Sequence, residues 1–263
     1  LAIHIAGSYL CTGRIRISLK EYYDKLCSQP VLKDKTMVDY VRDPSPTEHI
    51  QNVSATFDIS YQRLDQKDKV DALSARIFHL TSHFAPAPIP TELLFMALEM
   101  DKDNLDDKDM LNDAINRLCE LGLVGMSEDG RVIVHRLLRE FAYHHPADGQ
   151  DVEQSTEDIA QAIADYSDKI SSSNMPISSN EVEHLRHVTS EAERRKSKLL
   201  GGLNYEIGNY LYIIADLKSA MKHYELALKM DEAIYGEDHP NVAAYLNNIG
   251  LVLQDMGDLS GAK

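Results

Sequence analysis

No run of residues in this chain approaches the roughly 20 consecutive apolar positions that span a bilayer. Cysteine is scarce: Cys11, Cys27 and Cys119 are odd in number and far apart. They offer neither a disulfide framework nor a metal-ligand spacing, which points to a reducing, cytoplasmic setting. Basic side chains are also few, 27 Lys and Arg against 42 Asp and Glu, for a net charge of −15. That balance opposes attraction to nucleic acid or an anionic membrane. No glycine-rich loop followed by Lys-Ser/Thr occurs in the 263 residues, nor an acidic strand end suited to Mg²⁺. The chain by itself is therefore expected to be no ATPase, and no other catalytic site or metal site stands out. The pair His79 and His83 in HLTSH lacks the Glu of the zinc-protease pattern. His184 and His187 in EVEHLRH, and the adjacent His144 and His145, read as solvated histidines near carboxylates.

What is present is a self-match at a spacing of 42 residues. Gly208, Asp216, Leu217 and Ala220 recur as Gly250, Asp258, Leu259 and Ala262, and the same shift pairs Ile207 with Ile249 and Leu211 with Leu253. A helix-pair repeat needs this pattern. The glycine lets two helices approach, the Asp-Leu step turns the chain into the second helix, and the alanine seats that helix. In GEDHPNVAAYLNNIG, Gly236 ends one helix, Pro240 starts the next, and Val242, Leu246 and Ile249 form its expected packing stripe. The second copy stops one turn into its second helix, and the chain opens at Leu1 as if inside a helix. The expectation is a piece of a longer protein.

The chain is expected to be mainly α, in four parts. Residues 1–48 comprise helices followed by a polar linker from Pro30 to Glu48, with Ser18 as an N-cap. Residues 49–146 place helices marked by Val53, Phe57, Ile59 and Leu64, then by Val70, Leu73, Ile77 and Leu80. APAPIP breaks the chain before a helix that Thr91 is expected to cap. An acidic loop, DKDNLDDKD, leads to a helix from Met110 to Leu121. Two short β-prone pieces, Leu123–Met126 and Arg131–Val134, turn at Glu128, Asp129 and Gly130. HRLLREFA follows, and this order is that of a winged helix with a small β-hairpin. Residues 147–200 read as connecting helices broken near Ser171–Ser179, and 201–263 hold the repeats, one complete and one truncated. Residues 50 to 145 carry 16 acidic and 10 basic side chains, so the winged helix lacks the charge that DNA binding requires.

By Gly208, Ala220, Tyr224 and Ala227, and by the GEDHPNVAAYLNNIG joint, the C-terminal stretch resembles the tetratricopeptide repeat (TPR) in its 42-residue form, an α-solenoid. In such pairs the first helix of each repeat lines the concave face. That resemblance places Tyr205, Asn209, Tyr212, Asn247 and Leu251 on a groove for a protein or peptide. Residues 1–145 resemble the C-terminal part of an NB-ARC (STAND-class) nucleotide-switch ATPase. The carriers are Leu1-Ala2, LAIHIAGSYL…SLKEYYDKL, VSATFDISYQRL…FHLTSHFAPAPIPTELL and VHRLLREFA, the last aligning with the family's Met-His-Asp motif. The resemblance implies that His135 senses the β-phosphate of ADP. Val134 and Arg136 stand where the family has Met and Asp, and Arg136 would approach a phosphate directly. ATP or ADP with Mg²⁺, and a nucleotide-dependent homo-oligomer, are implied for the intact protein. Three functions follow as alternatives: the sensor part of a signalling ATPase, a passive TPR scaffold, or a DNA-binding transcriptional regulator.

Overall fold

In the computed structural model, the described residues are 49–147, 151–172 and 178–257, together with 149, 261 and isolated positions before 25. The architecture is mainly α with one two-stranded antiparallel sheet. The helices are α1 (His49–Tyr61), α2 (Lys69–Thr81), α3 (Thr91–Ala97), α4 (Leu105–Glu120), α5 (Arg136–His144), α6 (Val152–Ser172), α7 (Ser179–Arg195), α8 (Leu200–Ile213), α9 (Leu217–Tyr235) and α10 (Pro240–Asp255). Strands β1 (Gly125–Met126) and β2 (Val132–Ile133) lie between α4 and α5. The chain divides into two compact units, 1–82 with 102–150, and 83–101 with 151–263. Most of the helical stretch expected over 1–28, and the linker expected over 30–48, lie outside the described residues. At Ser18 the N-cap is present, because Ser18 and Glu21 exchange hydrogen bonds as a capping box.

In the first unit, Phe57, Phe78 and Phe141 are wholly buried and meet at ring distances of 5.8 and 6.3 Å, tying α1, α2 and α5 together. Ser74 of α2 donates to the Ala114 carbonyl of α4, and the Arg117 guanidinium of α4 reaches Asp71 of α2 at 2.7 Å. Asp68 caps α2 by accepting from Val70 and Asp71 N–H. His79, also wholly buried, sits 3.0 Å from the Ala142 carbonyl, and burial pulls its pKa below the usual histidine value. β1 pairs with β2 in the register Gly125 to Ile133 and Met126 to Val132, and Gly130 takes the positive φ of the turn.

Two local expectations are corrected here. The acidic stretch before Met110 is not all loop. Asn104 caps α4 by accepting from Asp106 N–H, so Asp106 and Asp107 form the first turn. Carboxylates there are favoured by the positive end of the helix dipole. Thr91 is the first residue of α3 and not its cap; Pro90 holds the cap position and makes no side-chain bond.

In the second unit, α3 packs on α6, and α6 and α7 both pack against α8. α6 and α7 thus stack on the repeats as a further helix pair. His184 is not solvated, contrary to expectation. It is wholly buried, its Nδ1 accepting from Ala85 N–H at 3.1 Å and its Nε2 lying 3.1 Å from the Pro88 carbonyl. A nitrogen that accepts leaves the proton on the other, so the neutral ring clamps the APAPIP segment. The Tyr166 hydroxyl donates to Glu181, whose carboxylate also closes a capping box with Ser178 at the start of α7.

Candidate functional site

Three helices, α8, α9 and α10, build the site. Asp216 caps α9 by accepting from Ser219 N–H, and Ala215 takes a positive φ in the turn before it. Gly236 closes α9 with a positive φ, and Pro240 is the first residue of α10, where a missing N–H costs nothing. The buried stripe of α9 runs Ala220, Tyr224, Ala227 and Asp231. A Cβ at Gly208 would lie 2.6 Å from the Tyr224 ring, so the glycine is what lets that ring rest on the backbone of α8. At the other end of α8, Gly201 makes the same room for Asp231.

A polar ladder joins the first helices of the two repeats. Tyr224 donates to Asn209 Oδ1 at 2.9 Å, and Asn248 Nδ2 donates to both Asn209 Oδ1 and the Tyr205 hydroxyl, at 3.2 and 3.1 Å. The Tyr205 ring meets Tyr245 at 4.9 Å and Tyr224 at 5.7 Å. Tyr245 and Asn241 both donate to Asp231 Oδ2, while the buried Asp231 Oδ1 accepts from no partner. Further along, Tyr212 donates to Asp255 at 2.6 Å. Burial raises the Tyr224 pKa, and burial together with Asp231 raises that of Tyr245, so both phenols stay protonated donors.

Of the residues expected on the groove, Tyr205, Asn209 and Tyr212 are half-buried and engaged in this ladder. Asn247 and Leu251 stand exposed on α10. The asparagine amide that bridges the two helices is Asn248, which sequence reasoning missed. It occupies the position of Glu206 one repeat on, the neighbour of the expected Asn247. The packing stripe of α10 is also corrected: Tyr245 replaces Leu246 in it, beside Val242 and Val252. Leu246 is 52% exposed, while its neighbour Tyr245 is buried with its hydroxyl donating to Asp231.

Glu206, likewise unforeseen, is only 4% exposed. Burial, with Asp168 of α6 adding like-charge repulsion, pushes its carboxyl up to about 8 against a single opposing bond from Asn209 Nδ2 at 3.3 Å. Between α7, α8 and α9 lies an open cleft of about 470 Å³, floored by Ile207, Leu211 and Leu226. Two of its polar lining groups, Asn204 and His223, bond one another at 3.0 Å.

His135 is the exposed N-cap of α5, its Nδ1 accepting from Leu137 N–H at 3.2 Å, with exposed Arg136 next to it. Among the described residues, no group of three or more His, Cys, Asp and Glu is placed to hold a metal ion. Nor is any described helix long and apolar enough to cross a membrane.

Residues 200–263 match the tetratricopeptide repeat family model, and no solved structure matches the chain. The C-terminal helices thus match tetratricopeptide repeats, a class that generally binds proteins or peptides.

Proposed function

We propose that the repeat unit is a protein-interaction module that holds an extended segment of a partner along α8 and α10. The observation that carries this reading is the Tyr205–Asn248–Asn209–Tyr224 ladder. It fixes two aromatic rings and two amides in place before any ligand arrives, so little conformational entropy is left to lose on binding. Exposed Asn247 and Leu251 extend the same helix face with an amide and an apolar contact. Peptides selected on the whole chain from a displayed library of random 12-residue sequences supply the probe. The double variant Asn247→Ala/Leu251→Ala is expected to weaken a selected peptide about tenfold or more, a typical loss for two central contacts. Unaltered affinity would remove α10 from the interface, and failure to select any peptide would remove the function.

A second reading concerns the first unit, as the relay of a nucleotide switch in the intact protein. It is supported by the helix–hairpin–helix order and by His135 and Arg136 at the start of α5. With Nδ1 accepting, Nε2 is the ring nitrogen left to donate, suited to a phosphate oxygen at a helix N-terminus. The remainder of a nucleotide's cradle has no counterpart in these 263 residues. In the intact protein, His135→Leu is expected to speed ADP release, and an unchanged off-rate would leave His135 a helix cap alone.

A further inference from the structure

We propose that the segment held by the repeat unit is basic, and that Glu206 receives its Lys or Arg side chain with Asp168 and Asp255 flanking. This rests on the protein-binding reading above and names the chemistry of the partner. Cations, though not carboxylates, are sorted between the two layers of helices. The first helices of the successive pairs are α6, α8 and α10. Neither α8 nor α10 contains a single Lys, Arg or His. The one cation of α6, Lys169, is taken up by an ion pair with Glu92. The second helices, α7 and α9, carry Arg186, Arg194 and Arg195, and Lys218, Lys222 and Lys229. A partner running along the first helices therefore meets carboxylates with no competing cation from α8 or α10.

Glu206 is the independent second observation. It is more than nine-tenths buried, and its Oε2 accepts a long hydrogen bond from Asn209 Nδ2, at 3.3 Å. Its strongest charged neighbour is a carboxylate, Asp168, exposed on α6. A buried carboxyl held by one long hydrogen bond is costly in its charged form, and the arrival of a cation with N–H donors relieves that cost. Asp255, held by Tyr212, adds a second anion further along the same face.

Binding is then linked to a proton. With its pKa raised to about 8, the free Glu206 carboxyl is mostly protonated at neutral pH. A Lys or Arg side chain entering the site drives that proton into solvent. The titratable groups facing Glu206 are Asp168 of α6, Tyr224 of α9 and Tyr245 of α10, with Tyr205 beside it on α8. The three tyrosines all have raised pKa values and stay neutral through this range.

The display selection described above, run on the whole chain at pH 8, tests the proposal. The selected pool is expected to be rich in Lys and Arg. Titration calorimetry with a selected synthetic peptide should show affinity rising as pH goes from 6.5 to 8.5, with uptake of the released proton by buffer. Glu206→Gln is expected to lower affinity at least tenfold at pH 8.5 and to flatten the pH profile. Glu225→Gln and Glu232→Gln, exposed on α9, are expected to change nothing. A pool of acidic or neutral peptides, or full affinity in Glu206→Gln, would overturn the basic partner while leaving the groove a binding site. An equal loss in the α9 variants would reduce the effect to bulk charge and overturn it as well. A selection that yields no peptide at all overturns both this inference and the interaction module.

Discussion

Replacing Glu206 with Gln is expected to stabilise the repeat unit at pH 9 by on the order of 4 kcal/mol, and to do little at pH 4. The cause is the buried position of the carboxyl, 4% exposed on α8, with Asp168 near it and one bond from Asn209 to oppose both. The folded carboxyl, pushed up to about 8, lies above its usual value of 4.5. Between those two pH values the folded chain holds a proton that the unfolded chain has released. Stability contributed by the protonated group is therefore fully present below about pH 4.5 and is lost as pH rises through 8. Gln has the shape of the protonated acid and does not titrate, so the variant keeps at pH 9 what the wild type loses. Urea unfolding followed by circular dichroism, wild type beside variant at pH 5, 7 and 9, reads the difference directly. Parallel curves at all three values would mean that Glu206 ionises freely in the folded chain.

How much of this was legible in the sequence depends on the physical signal each residue leaves. The helix pairs were legible because their devices are local: Asp216 at a cap, Gly236 and Pro240 at the joint, Gly208 at the close approach. Asp231 left a trace as well, since it falls on the stripe of Ala220, Tyr224 and Ala227, where an acid has no reason to be solvated. Glu206 left none. It stands among Leu203, Ile207 and Gly208, and which of its faces is covered depends on α6, about 40 residues earlier in the chain. His184 was misread for the same reason. Its string EVEHLRH is charged, but its two ring partners, Ala85 and Pro88, come from a distant loop. Local spacing finds caps, breaks and stripes; it does not find a buried polar group whose partners lie far off along the chain.

Within α8, two glycines six residues apart are expected to respond to alanine with opposite signs. At Gly202 an added Cβ meets nothing within 4 Å. Gly202→Ala should therefore gain about 0.5–1 kcal/mol, the cost that glycine imposes on a helix interior. At Gly208 the added carbon would lie 2.6 and 2.7 Å from Cε1 and Cδ1 of Tyr224. That ring has no easy retreat: it is buried, its hydroxyl is tied to Asn209, and Tyr205 lies 5.7 Å from it. α8 and α9 must separate, at about 1–3 kcal/mol for overpacking. Separation also stretches the Asn209 contact that carries the ladder to Asn248 and α10, so the loss falls on the groove as well as on the fold. Gly208→Ala is expected to be net destabilising by about 2 kcal/mol despite its better helix propensity, and to weaken selected peptides alongside. A double-mutant cycle isolates the cause. In a Tyr224→Ala background the clash partner is gone, and Gly208→Ala should turn from harmful to mildly stabilising. If it stays equally harmful there, the close approach of ring and backbone is not what the glycine serves.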